Sequence, residues 1–349
     1  MLIHLKGTPY EQGKAHGAAT VDLIRKNIEA VRHIVIDQKK VNFDVYRKYV
    51  QLNADFIRHD RPDTYEELQG IAEGSGIPLR DIFLLNIQLF FVTESLPQDC
   101  TTIIAHGPAT LDGKTYVVKN RDIGTYFYHV VLHREYPNGI TTCEVDPAGT
   151  VLWPGSGINN FGLAVSTTSG NSPHKPLPNN TSHINVAINQ NYLLQECRNV
   201  DDVIAYMEEK HKLNAFRLNV FGVDKERAVC IETTETGIAV VESEQGLLMR
   251  TNHFHSALQK QYNPPPGMYP STYNRYRRGM EFLTQRRGTL RFQDLLQIAS
   301  DHEGGSKGAI CRHGGEDATT AYCSICVVED QQLWTALGNP CRSLILSTI

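Results

Sequence analysis

The stretch Pro97-Gln98-Asp99-Cys100-Thr101-Thr102-Ile103-Ile104 divides a chain of 349 residues into two parts with different patterns. Before it, apolar residues keep helical spacing: Val21, Ile24, Ile28, Val31 and Val35 recur at three- and four-residue steps, which predicts a helix over residues 20–38. Two more helices are expected, one opened by an Asp63 cap with Glu66 three positions on and ending at Gly74 or Gly76, the other over residues 80–92. After it come short β-rich runs at residues 101–105, 115–119, 129–134, 150–153 and 163–167, punctuated by Gly, Pro and Asn.

Further along, a proline-rich loop at residues 172–180 leads to helical spacing over 185–197 and 200–211, with Asp201 and Asp202 in a first turn. Strands are expected at 217–223, 227–233, 237–242 and 247–251, helices at 272–285 and 292–301, and closing strands at 320–328 and 333–337. Sheets interleaved with paired helices give an α+β domain in which two sheets are covered by helices.

Composition narrows the function. Lysine plus arginine number 34 against 38 acidic residues, a net charge of −4, so nothing drives the chain onto a polyanion and nucleic acid is not an expected partner. With 41% hydrophobic and 21% charged residues, disordered and fibrous classes are excluded. No apolar run approaches the roughly 20 residues that span a bilayer, and Met1–Gly7 runs straight into polar sequence without a secretory pattern. The expectation is a cytoplasmic protein, away from membranes, whose eight cysteines are thiols.

Among those cysteines, Cys100 alone sits at a helix-to-strand junction. Cys143 and Cys230 lie in strand patterns, Cys197 in a helix, and Cys311 and Cys341 in loops. Cys323-Ser324-Ile325-Cys326 has redox-pair spacing, but residues three apart on a strand face opposite ways. His253-x-His255, His302-Glu303 and His313 lack zinc-protease spacing, and Gly304–Gly308 lacks the phosphate-loop pattern, so neither metal nor cofactor is expected.

Several motifs fall in order around Cys100. Asp99-Cys100-Thr101-Thr102, Asn120-Arg121-Asp122, Gly157-Ile158-Asn159-Asn160-Phe161-Gly162-Leu163, Thr251-Asn252-His253-Phe254 and Ser271-Thr272-Tyr273-Asn274-Arg275 follow one another. Ahead of them lie Gly13-Lys14-Ala15-His16-Gly17 and Glu67-Leu68-Gln69-Gly70-Ile71-Ala72-Glu73-Gly74. Together they resemble the N-terminal nucleophile (Ntn) hydrolases of peptidase family C45, the acyl-coenzyme A:isopenicillin N acyltransferase-like group, over almost the whole chain.

That resemblance implies a four-layer αββα sandwich and self-cleavage between Asp99 and Cys100. It would leave a helical piece, 1–99, and a catalytic piece, 100–349, held together as a heterodimer; a homo-oligomer is compatible with it. The new α-amino group, titrating near pH 8, would take the proton of its own thiol. Asp122 matches the acidic residue that orients this amine, and Arg275 the arginine of the charge network. Asn252 matches the oxyanion-hole amide, and Asn159 is the candidate for a second, backbone donor. The substrate implied is a small-molecule amide or acyl donor, attacked to give an acyl thioester on Cys100. Asp99 stands where the family commonly has glycine.

Overall fold

The computed structural model describes residues 1–33, 43–87, 99–123, 127–153, 155–170, 186–213, 217–305, 308–314, 318–342 and 344–349. The first part of the chain forms β1 (Leu2–Lys6), α1 (Pro9–Ala19), α2 (Val21–Arg32), α3 (Phe43–Asp60), α4 (Pro62–Ser75) and α5 (Leu79–Ile87). From Asp99 on come β2 (Asp99–Ala105), β3 (Tyr116–Ile123), β4 (His129–Glu135), β5 (Thr141–Pro147), β6 (Ser156–Asn159) and β7 (Ala164–Ser169). Helices α6 (Gln190–Glu196) and α7 (Val200–Lys210) follow, then β8 (Leu218–Val223), β9 (Ala228–Thr234), β10 (Gly237–Glu242) and β11 (Leu247–Arg250). The chain ends with α8 (Pro270–Gln285), α9 (Phe292–Ala299), β12 (Thr319–Val327), β13 (Gln332–Ala336) and β14 (Ile345–Thr348).

The strands form two sheets, β1-β4-β5-β6-β7-β8-β9-β10 and β11-β2-β3-β12-β13-β14. Three apolar clusters give the layers. Ile104, Val117 and Cys326 of the smaller sheet pack with Val131, Val145 and Phe221 of the larger one, a core between the sheets. Ile103, Val118 and Ile325 face the other way, onto Leu283, Leu295 and Ile298 of α8 and α9. The outer face of the larger sheet, through Val130, Leu132 and Val220, is covered by Ile24, Leu68, Leu193 and Val203 of α2, α4, α6 and α7. The expected αββα sandwich is therefore the observed architecture.

The N-terminal region is built into that sandwich. Its strand β1 adds parallel to β4, so the region is not purely helical, and α1 packs on α4 through glycines. A Cβ on Gly13 or Gly70 would strike the backbone carbonyls of Glu67 and Tyr10. These two glycine motifs let two helix backbones touch. Glu67, from α4, reaches the fully buried Arg134 of β4, which also binds Glu144 of β5.

Some expectations needed correction. Helix α4 starts with Pro62 at its first turn and Arg61 as N-cap, and Asp63 lies inside that turn. Residues 150–153 form no strand, because the Val151 N–H is taken by Asn86 Oδ1 at 2.8 Å and Thr150 Oγ1 turns back to Pro147 O at 2.8 Å. The proline-rich loop at 172–180, the helix ends expected over 34–38 and 88–92, and Gln98 lie outside the described residues. The diverging pair was as read: Cys323 belongs to the core under α8 and α9, Cys326 to the core between the sheets.

Candidate active site

Strands β2 and β3 are buried along their whole length, since both faces of the smaller sheet are covered. Polar side chains there must find partners inside the protein. Alternation along the strands sorts them. With Ile104 and Val117 in the core between the sheets, Cys100, Thr102, Lys119 and Arg121 point the same way; Thr102 Oγ1 meets Ser166 Oγ at 2.9 Å across that gap. Thr101, Asn120 and Asp122 point to the helices, and Asn120 Nδ2 binds the carbonyls of Ala299 and Ile310 at 2.8 and 2.9 Å.

Cys100 is the second residue of β2, opposite Arg121. Its thiol lies 3.8 Å from Arg121 Nη1. Burial pushes the thiol up, but the Lys119 ammonium hydrogen-bonded to it and the Arg121 guanidinium outweigh that and hold it below the ordinary thiol value. Lys119, itself fully buried and bound to the Thr167 carbonyl, is pulled down by desolvation to about 8. The sequence reading missed Lys119. Its signal was a lysine directly before Asn120-Arg121-Asp122, two residues from Arg121 and so on the same strand face.

The backbone nitrogen of Cys100 is placed by a different strand. The register pairs Arg250 with Thr102, so Asn252, two residues beyond, comes opposite Cys100. There Asn252 Oδ1 accepts from the Cys100 N–H at 2.8 Å and from Arg275 Nη2 at 2.9 Å. Its Nδ2 donates to Ser169 O and Oγ, both at 3.0 Å. Two donors on one atom and a carbonyl facing the other fix the amide orientation. Asn252 thus presents its oxygen to the α-nitrogen of Cys100, and its amide N–H groups are turned to Ser169.

Arg275 lies on the buried stripe of α8 with Thr272, Gly279 and Leu283. Its Nη1 donates to Cys100 O at 2.6 Å and Thr101 Oγ1 at 2.8 Å, its Nη2 to Asp99 Oδ1 at 2.9 Å, and its Nε to Ser271 Oγ at 3.1 Å. With the bond to Asn252, all five guanidinium donors are used. Arg312 also binds Asp99. Burial pushes the Asp99 carboxyl up, but Arg275 and Arg312 outweigh it and hold it below the ordinary carboxylate value.

Asp122 pairs with Asp99 across the β2–β3 ladder and accepts from Thr320 Oγ1 at 2.6 Å. Its other oxygen, Oδ2, has no hydrogen-bond partner among the described residues. Burial pushes its carboxyl up to about 6 against the pull of Arg275. Asn159 is placed elsewhere, which corrects the expectation of a backbone oxyanion donor. Its N–H bonds Leu163 O at 3.0 Å in the β6–β7 turn, and its Nδ2 holds the carbonyls of Leu194 and Cys197 at 2.9 Å each. The Gly-x-x-x-x-Gly-containing motif around it shapes that hairpin, which is why an asparagine with turn chemistry matched there.

Cys100 is thus a thiol held below its ordinary value near the start of a sheet strand in a sandwich, with its own backbone nitrogen bonded to an amide oxygen. Residues 109–342 match the family model of acyl-coenzyme A:6-aminopenicillanic acid acyl-transferase, and the chain belongs to this family, which lies within the C45 Ntn hydrolases. The matched span starts after Cys100 and contains Lys119, Asp122, Asn252 and Arg275. Among solved structures, a conjugated bile acid hydrolase variant from Clostridium perfringens is similar over 71% of this chain and 92% of its own, with 12% identity and a TM-score of 0.45. Penicillin V acylase from Agrobacterium tumefaciens is similar over 72% and 86%, with 13% identity and a TM-score of 0.47. No helix among the described residues is long and apolar enough to cross a membrane.

Proposed function

We propose that this chain is a self-processing cysteine hydrolase that cuts the amide bond of a small N-acyl compound through a thioester on Cys100. The observation that carries the reading is the pair of contacts on one residue: Cys100 N–H on Asn252 Oδ1, and the Cys100 thiol beside Lys119 and Arg121. The nitrogen that must become a free amine and the sulfur that must become a nucleophile are both held.

In the uncut chain the Cys100 nitrogen is an amide and cannot act as a base. Lys119 and Arg121 then favour the thiolate, which attacks the Asp99 carbonyl carbon. The C–N bond breaks, the Cys100 nitrogen takes a proton and leaves as the α-amine, and Asp99 is left as a thioester on Sγ. Water cleaves that thioester, giving the Asp99 carboxylate and a free thiol. For a substrate amide the α-amine accepts the thiol proton, sulfur adds to the carbonyl, the substrate amine departs with the proton, and water releases the acid. Asn252 Oδ1 would hold the amine, and the unpaired Asp122 Oδ2 offers it a nearby negative partner.

Cys100 exposes no surface in the uncut chain, so turnover of an external substrate would follow cleavage. The 1–99 piece would stay bound, because β1 is laddered to β4 and Glu67 is paired with buried Arg134. Intact-mass analysis tests this: two fragments meeting at residue 100, and a single chain for Cys100→Ala. Full activity of an uncut wild-type chain overturns the reading.

The family match favours a second reading, transfer of the acyl group to an amine in place of water. A held acceptor gains a large effective concentration. An activated acyl donor with a panel of small amines separates the two: saturable amide formation at micromolar amine means transfer, and free acid means hydrolysis.

A further inference from the structure

On the edge of the domain, four side chains that the reaction does not use converge on one point. They come from three segments: His302 just after α9, Cys311 and His313 in the strand-like run before β12, and Cys341 in the turn before β14. His313 Nε2 is the hub, 2.9 Å from His302 Nε2, 3.3 Å from Cys341 Sγ and 3.6 Å from Cys311 Sγ. All four donor atoms lie within 4.8 Å of one another. We propose that His302, Cys311, His313 and Cys341 form a structural zinc site.

The donor set carries the argument. Two imidazole nitrogens and two sulfurs are the Cys₂His₂ complement that Zn²⁺ takes in closed tetrahedral sites, at roughly 2.0–2.1 Å to nitrogen and 2.3 Å to sulfur. Those bond lengths place neighbouring ligand atoms roughly 3.3 to 3.8 Å apart; the two sulfur spacings to His313 fall in that range, and the two imidazole nitrogens, at 2.9 Å, would move apart by a few tenths of an ångström to admit the ion. Hydrogen bonding explains the cluster poorly. A single N–H between the two rings satisfies one contact and leaves two sulfurs aimed at the same nitrogen, whereas a cation satisfies all four lone pairs. Asn339 Nδ2 adds a donor to Cys311 Sγ at 3.5 Å, the outer bond that a metal-bound thiolate accepts. Cys311 is buried, while His302, His313 and Cys341 are exposed, so an ion can enter without opening the core.

The site also has a place in the fold. Cys311 and His313 flank Arg312, the residue whose guanidinium grips Asp99, and Asn339 Nδ2 binds the Arg312 carbonyl at 2.6 Å. With four protein donors and no position left for substrate, the zinc would fix this segment and take no part in acyl chemistry.

Elemental analysis of the purified full-length protein, expressed with zinc in the medium, tests the proposal. Equimolar zinc that survives gel filtration is expected, in wild type and equally in the uncut Cys100→Ala protein, so the result is independent of processing or activity. Cys341→Ser and His302→Ala, both at exposed positions, should reduce the zinc at least tenfold while keeping the wild-type circular dichroism; His59→Ala, at another exposed histidine, should not. Cobalt(II) in place of zinc should give the intense visible bands of a tetrahedral thiolate site, lost in Cys341→Ser. A folded wild-type protein that holds neither zinc nor micromolar cobalt overturns the proposal, as does a Cys311–Cys341 disulfide in protein purified without oxygen.

Discussion

Arg275 donates through Nη1 to the carbonyl oxygen of Cys100 at 2.6 Å. Through Nη2 the same guanidinium reaches Asp99 Oδ1 at 2.9 Å, so it holds the chain on both sides of one peptide bond. The bond proposed for cleavage is thereby clamped from both sides by one guanidinium. Lysine cannot reproduce this, since one ammonium cannot span five acceptors on five residues. Arg275→Lys is expected to slow processing by roughly 10²-fold or more, a few kcal/mol, in line with opening a buried, hydrogen-bonded ion pair. The measurement is the time course of the intact band on a denaturing gel, and wild-type kinetics would remove Arg275 from the junction.

Asn252 can be tested for which of its two ends matters. Asn252→Ala should cost roughly 10²–10³ in kcat per cleaved enzyme, whether the lost group is an oxyanion donor or the acceptor for the Cys100 nitrogen. Asn252→Asp distinguishes them, because it keeps an oxygen facing Cys100 and Arg275 and loses the donors to Ser169. The geometry predicts that aspartate retains at least tenfold more activity than alanine. Equal losses would favour an oxyanion role after rearrangement.

Much of this could be read from the chain, and the failures have physical causes. The helix-to-strand switch at Asp99 was legible because Ile103, Ile104, Val117 and Val118 break helical spacing with β-branched residues. Arg275 and Asn252 were legible through motif order alone, since nothing local says that a helix stripe and a strand end meet at Cys100. Residues 150–153 misled because an apolar, β-branched run can also be a buried loop when side chains such as Asn86 take its N–H groups. Lys119 was invisible for the opposite reason: a lysine in a strand reads as surface, and only the second sheet on top of β3 buries it. His302 and His313 were weighed as metal candidates and set aside for want of a regular spacing, and their closeness to Cys311 and Cys341 was not legible because tertiary packing brings the four together from residues 302 to 341.

The contact of α1 with α4 predicts a stability effect without a direct catalytic one. A methyl group on Gly70 would meet the Tyr10 carbonyl, which is backbone and cannot rotate away. Gly70→Ala should therefore force the helices apart and destabilise the protein by about 1–3 kcal/mol, as overpacking does, despite alanine's better helix propensity. Gly76→Ala is the contrast, since there the strain comes from a left-handed φ of 65° at the end of α4 and nothing lies within 4 Å. Urea denaturation of the Cys100→Ala chain measures both, and a Gly70→Ala protein as stable as its parent would mean that the helices are not in backbone contact.

The electrostatics of Cys100 fix the sign of a pH effect. Cleavage needs the thiolate, so its rate rises with pH through the thiol's pKa and levels off above it. Lys119 lowers that pKa against the burial that raises it. Lys119→Met removes the cation and keeps the burial, so the rising limb must move to higher pH, with the rate at neutral pH falling about tenfold for each unit of displacement. Lys119→Arg keeps a cation beside the sulfur and should restore part of the shift. Processing rates from pH 5 to 10 for the three proteins decide it; superimposable profiles would show that Lys119 is only buried near the thiol and does not act on it.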